Sequence, residues 1–156
     1  MIEHNNILAC FVSDPPTSYE YDEEMNNKLK SESPLFRKYI WGEEGIDQYF
    51  KQLYHSHYGS DVELILFQFY PKPHHSMLPH LQRIIGNYRK SEKSFGINII
   101  IDDDFFTATH SERYVILKKI IFNSLDLLAE RIKKKKLDTD ISKLKSDLQK
   151  ILMDKV

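Results

Sequence analysis

Five of the seven histidines lie close together along the chain, as His55, His57, His74, His75 and His80. Imidazoles in such a group hold zinc when three or four converge about 2 Å from the ion, each steered by a further hydrogen-bond partner. The spacing H-x-H followed by H-H-x4-H matches no zinc signature, and Cys10, the only cysteine, offers no thiolate set. Solvated histidines at a helix end and in a proline-flanked loop are the plainer reading. Asp102-Asp103-Asp104, closing an apolar run, is the better candidate for metal chemistry, since carboxylates placed there can hold Mg²⁺. A metal-dependent hydrolase or nuclease would be built on Asp102, Asp104 and the histidines. Successive strand residues point to opposite faces, however, so three in a row cannot all reach one ion without a turn. No E-x-K, P-loop or G-x-S-x-G pattern accompanies them. A polar cap on a strand accounts for the aspartates. The expectation is a protein without a metal, a cofactor or an enzymatic activity.

Charged groups suited to binding are the second class. Lys133-Lys134-Lys135-Lys136 has the charge that neutralises phosphates. It is short, lacks interleaved aromatics and sits in a chain of net charge −1, so a solvated helix end is expected rather than a nucleic-acid site. Tyr19-Glu20-Tyr21-Asp22-Glu23-Glu24 is different in kind. A soluble loop tolerates such residues, yet carboxylates beside tyrosines are also what a protein presents to a basic cleft. Charge speeds association and the rings supply anchoring area. These six residues are the candidate partner-binding site.

Positioning such groups falls to a short series of elements. Ile7–Val12 reads as a strand ended by Ser13-Asp14-Pro15-Pro16. A polar, acidic loop follows at about 14–33, within which residues 22–30 have the makings of a short helix; loops of that length are often functional. Ile46, Tyr49, Phe50 and Leu53 have the spacing of one helical face, behind the early carboxylates Glu43, Glu44 and Asp47. Val62–Tyr70, almost continuously apolar, reads as a central strand. Leu78, Leu81, Ile84, Ile85 and Tyr88 suggest a helix over Met77–Lys90, with Pro79 in its first turn. Phe95–Ile101 is a third strand. A long helix capped by Thr109 or Ser111 runs to about Lys135, and Ile141, Leu144, Leu148, Ile151 and Leu152 mark a terminal one. The expected fold is α+β: a three- to four-stranded sheet packed against about four helices, in one domain spanning 1–156.

Bulk properties agree with that outline. A chain of 41% hydrophobic and 29% charged residues is globular, and at this length it needs no disulfide or metal staple. Cys10, within Ile7-Leu8-Ala9-Cys10-Phe11-Val12, is expected to be a buried small hydrophobe. The N-terminus lacks a basic signal-peptide region and no apolar stretch approaches the roughly 20 residues of a membrane span, so a cytoplasmic protein without membrane contact is expected. Residues 1–70 hold 12 acidic and 5 basic side chains (net −7), whereas 71–156 hold 11 and 17 (net +6). Such asymmetry suggests acidic and basic faces that steer a charged partner.

From Tyr58 onward the chain resembles bacterial immunity proteins of polymorphic, contact-dependent-inhibition-like toxin systems. The resemblance lies in Tyr58-Gly59-Ser60-Asp61-Val62-Glu63, leading into Leu66-Phe67-Gln68-Phe69-Tyr70. It continues in Asn87-Tyr88-Arg89-Lys90-Ser91-Glu92-Lys93-Ser94-Phe95-Gly96-Ile97, and in Leu127-Leu128-Ala129-Glu130 before the lysine run. It implies a cytoplasmic, non-enzymatic α+β antidote that binds and neutralises a cognate toxin domain. Such a protein is expected to be a monomer or weak dimer before it meets the toxin, and the resemblance assigns no catalytic residue.

Overall fold

A computed structural model describes residues 6–11, 34–43, 45–53, 58–71 and 84–153, with Ile7 the one side chain described in the first strand. Three apolar runs form a parallel sheet in the order β1-β2-β3: β1 (Asn6–Phe11), β2 (Leu64–Pro71) and β3 (Ser94–Ile101). The register places Ile7 against Ile65, Ile65 against Phe95, Phe67 against Ile97 and Phe69 against Ile99. Because side chains alternate along a strand, these residues share one face, and all of them are buried with Ile101.

Helices cover that face. α1 (34–41) starts with Pro34, whose fixed φ and missing N–H suit a first turn, and turns Phe36, Tyr39 and Ile40 into the core. α2 (Ile46–Lys51) adds Ile46, Tyr49 and Phe50, the last stacked on Phe67 with ring centroids 5.3 Å apart. α3 (Asp103–Thr107) is one short turn carrying the buried Phe105. In α4 (His110–Lys135), Leu117, Ile121, Leu125, Leu128 and Ile132 recur at helical spacing as a single buried stripe. α5 (Ile141–Met153) meets it with Ile141, Leu144, Leu148 and Leu152. The chain is an α+β protein. Among the described residues no helix is long and apolar enough to cross a membrane.

The termini of α4 explain its limits. The Thr109 side chain accepts the Glu112 N–H at 3.3 Å, satisfying one of the first-turn donors. At the other end Lys136 turns left-handed (φ 56°), and Leu137 donates its N–H to the Ile132 carbonyl at 3.1 Å, which stops the helix as a Schellman-type turn does. Near its start, Arg113 fastens three elements. Its Nε donates to the Phe105 carbonyl and Nη2 to the Phe106 carbonyl, both at 2.9 Å, and Nη1 donates to the Tyr39 hydroxyl at 3.3 Å. The guanidinium thereby satisfies carbonyls at the end of α3 that the helix itself leaves open.

Two segments differ from the reading of the sequence. α1 was not anticipated, and residues 84–90 of the helix expected over Met77–Lys90 are not helical. Ile85 and Arg89 instead bridge Ile97 and Ser94 in antiparallel sense, with Gly86 donating its N–H to the Gly96 carbonyl at 2.9 Å. Gly86 and Asn87 are poor helix formers, and the free donors and acceptors of β3's outer edge capture their backbone instead. The rest of that expected helix, the loop at 14–33 and Val12 lie outside the described residues, as does the side chain of Cys10.

Candidate functional site

The opposite face of the sheet has another character. Leu64, Leu66 and Gln68 of β2, half-buried, and Tyr70, buried, point to this side, and the register sets Leu64 against the buried Ser94, Leu66 against Gly96 and Gln68 against Asn98. The antiparallel segment 84–89 borders them, and together they line an open groove of about 720 Å³. Parallel sheets ordinarily bury both faces and read as apolar throughout. Here one face carries amides, a hydroxyl and a glycine, and among the described residues no helix packs on it.

Residues 89–94 form the rim. Arg89 Nη1 stands 3.7 Å from Glu92 Oε2, with both side chains largely exposed, and the Ser94 hydroxyl donates to the same Glu92 oxygen at 3.4 Å. Lys93, left-handed at φ 49°, reaches Glu63 at 3.7 Å. With Lys90 also exposed, the turn carries three cations against one carboxylate, Glu92.

Tyr88 anchors this rim to the strand entry. Its ring packs on Phe95 with centroids 5.0 Å apart, and its hydroxyl donates to the Asp61 carbonyl at 2.5 Å. Burial, then the Asp61 and Glu63 carboxylates, raise the phenol above its usual 10.0. The folded state therefore keeps this proton to a higher pH than the unfolded chain does. Stability from this source is complete below pH 10 and declines as pH rises toward the folded-state value. Tyr88→Phe is expected to flatten the alkaline loss of stability relative to wild type, read from urea midpoints between pH 8 and roughly 11.

The groups singled out in the sequence are not gathered at this groove. Asp102, Asp103 and Asp104 are exposed, Asp102 preceding α3 and the other two opening it, where carboxylates suit the helix dipole. Among the described residues no three His, Cys, Asp or Glu side chains are placed to hold a metal ion. The five clustered histidines, and Tyr19, Glu20, Tyr21, Asp22, Glu23 and Glu24, lie outside the described residues. Lys133 to Lys136 are exposed at the end of α4.

Nor did the sequence reading single out the groove. Its signal was present as a period of two inside runs read as uniformly apolar: Gln68 interrupts β2, and Ser94, Gly96 and Asn98 interrupt β3, always on the same side. The segments behind the family resemblance divide between two tasks. Residues 66–70 and 87–97 border the groove, whereas Tyr58 to Asp61 join β2 to the turn between α4 and α5. Asp140 donates its N–H to the Tyr58 carbonyl at 2.6 Å, Asp61 donates to the Asp138 carbonyl at 3.1 Å, and the Ser60 hydroxyl donates to Asp138 Oδ2 at 2.8 Å.

The model of one protein family, described as immunity protein 44 (Imm44), matches residues 25–154, which takes in the groove, its rim and this junction. No curated protein and no solved structure matches the chain.

Proposed function

This chain belongs to the immunity protein 44 family, and we propose that it is the cytoplasmic antidote of a polymorphic toxin system. It binds a cognate toxin domain and blocks that toxin's active site or its access to substrate, acting by occupancy rather than by turnover. The observation that carries this reading is the family match across residues 25–154. The whole chain acts as one immunity domain, and a monomer or weak dimer awaits the toxin.

Contact with the toxin includes the acidic segment Tyr19, Glu20, Tyr21, Asp22, Glu23 and Glu24, whose carboxylates complement a basic catalytic cleft. The test is co-expression, in a laboratory bacterium, of this chain with the toxin domain encoded beside it. Growth arrest by the toxin alone and restored growth with the antidote are expected. Failure to protect sinks the reading. Reversing the charge of Glu20, Asp22, Glu23 and Glu24 together is expected to slow association at least tenfold and to flatten its salt dependence, because rim charges act mainly on encounter. An unchanged rate in stopped-flow mixing removes the acidic segment from the interface.

A further inference from the structure

Two turns far apart in sequence carry the surplus positive charge of the C-terminal half. Residues 89–93 hold Arg89, Lys90 and Lys93, and residues 133–136 hold four lysines. Seven cations against the single carboxylate Glu92 leave a net of +6, the whole excess of the half 71–156. The fold brings both turns to the end of the sheet where β2 and β3 begin. The Lys93 carbonyl accepts the Glu63 and Leu64 N–H groups at 2.8 and 3.2 Å, at the entry to β2. Just before them, the Asp61 carbonyl accepts the Tyr88 hydroxyl, and the Asp61 N–H donates to the Asp138 carbonyl, two residues past Lys136. Asp61 is the link between the two turns.

Backbone conformation marks the same two turns. Lys93 (φ 49°) and Lys136 (φ 56°) are the non-glycine residues with positive φ among the described residues. Left-handed backbone disfavours any residue with a Cβ, and glycine or asparagine ordinarily closes such turns. Both turns place a lysine there instead. Lys93 has Glu63 as a partner at 3.7 Å, but Lys90 and Lys133 to Lys136 are exposed and form no ion pair among the described residues. The α4 dipole favours cations in the last helical turn, which accounts in part for Lys133 to Lys135 and has no bearing on Lys90. Charge kept at a conformational cost, and left without an internal partner, is available to an external one.

The surroundings select a protein partner over a nucleic acid. Asp61, Glu63, Glu92 and Asp138 are set among the cations, so a run of phosphates would meet repulsion at close range, whereas a protein face carries both signs. No ring at this end is offered to a base, since Tyr58 is buried and Tyr88 packs on Phe95. We propose that this end of the molecule, centred on Lys90 and Lys133 to Lys136, docks an acidic face of the toxin domain. This rests on the antidote reading above and adds a second contact, opposite in sign to the acidic one.

Stopped-flow mixing of the full chain with the toxin domain used in the co-expression assay tests it. Lys90→Glu combined with Lys134→Glu changes one exposed, unpaired residue in each turn. The pair is expected to slow association at least about tenfold at roughly 0.05 M ionic strength and only about twofold at roughly 0.5 M, because salt shortens the reach of surface charge. Lys119→Glu combined with Lys150→Glu makes the same change of net charge on exposed residues of α4 and α5 away from this end, and is expected to slow it less than about twofold. Lys136→Gly removes a cation and relieves a left-handed backbone, so the urea midpoint is expected to rise while association slows about threefold. If wild type binds and the Lys90–Lys134 pair associates within about twofold of the Lys119–Lys150 pair, the basic end is not a contact and the antidote reading stands. A Lys90–Lys134 protein that keeps its toxin association but loses a duplex oligonucleotide held by wild type at about 0.15 M salt would assign this end to nucleic acid and overturn the proposal. If wild type itself does not bind the toxin, the antidote reading falls and takes this proposal with it.

Discussion

Replacing Gly59 by alanine is expected to destabilise the protein by at least about 3 kcal/mol, the sum of a strained backbone and a core-like overlap. Gly59 adopts φ 140°, a region that L-residues rarely enter. An added Cβ would stand 2.2 Å from the Asp138 carbonyl oxygen and 2.7 Å from Thr139 Cα, both of them backbone atoms. No rotamer change relieves such a contact, so the turn between α4 and α5 must move. Its movement would loosen the bonds from Asp140 to Tyr58 and from Asp61 to Asp138. It would also pull on the Tyr58 hydroxyl, which donates to Asp147 Oδ2 at 2.9 Å under a Lys143 ammonium 5.7 Å from the ring. Urea unfolding should show a lower midpoint with an unchanged slope. Ser60→Ala, which removes the hydroxyl bond to Asp138 and adds no atoms, should cost only about 1 kcal/mol. Equal losses in the two variants would mean that crowding at Gly59 is not the cause.

That junction shows how far the sequence could be read. Long helices were legible because the 26-residue α4 repeats its apolar stripe over about seven turns, so one wrong position does not hide the period. α1 spans 34–41, barely two turns, and Phe36, Tyr39 and Ile40 are too few to establish a period before Gly42 ends it. Over 84–90 the opposite error arises. Ile84, Ile85 and Tyr88 are spaced as on a helix, yet Ile85 and Arg89 pair with β3, a partner that no local window contains. The face of β2 and β3 that forms the groove was legible in principle, since Gln68, Ser94, Gly96 and Asn98 all fall on one side of the pleat. What the sequence could not supply was the register that brings Gln68 opposite Asn98. The joining of Tyr58–Asp61 to Asp138–Asp140 was equally beyond it, because about 77 residues separate the partners and nothing local marks them.

Truncating Phe36 to alanine is expected to cost about 4 kcal/mol, near the upper range for an aromatic lost from a closed core. Phe36 is fully buried where α1, β2 and α3 meet, with ring centroids 4.9 Å from Phe105 and 5.3 Å from Phe69. A cavity there has no short route to collapse, because Phe105 is held by Arg113 through its own carbonyl and Phe69 by the sheet register. Phe36→Leu retains most of the volume and should cost only about 1.5 kcal/mol. The consequence for binding separates the two faces of β2. Phe69 points into the core, while its neighbours Gln68 and Tyr70 line the groove on the other face, so the two faces of the strand can be perturbed separately. Under conditions where it remains folded, Phe36→Leu should therefore bind the toxin domain within about threefold of wild type despite its lower urea midpoint. A Phe36→Leu protein that is fully folded and yet fails to bind would show that the toxin-binding surface holds its shape only while the aromatic cluster in the core is intact.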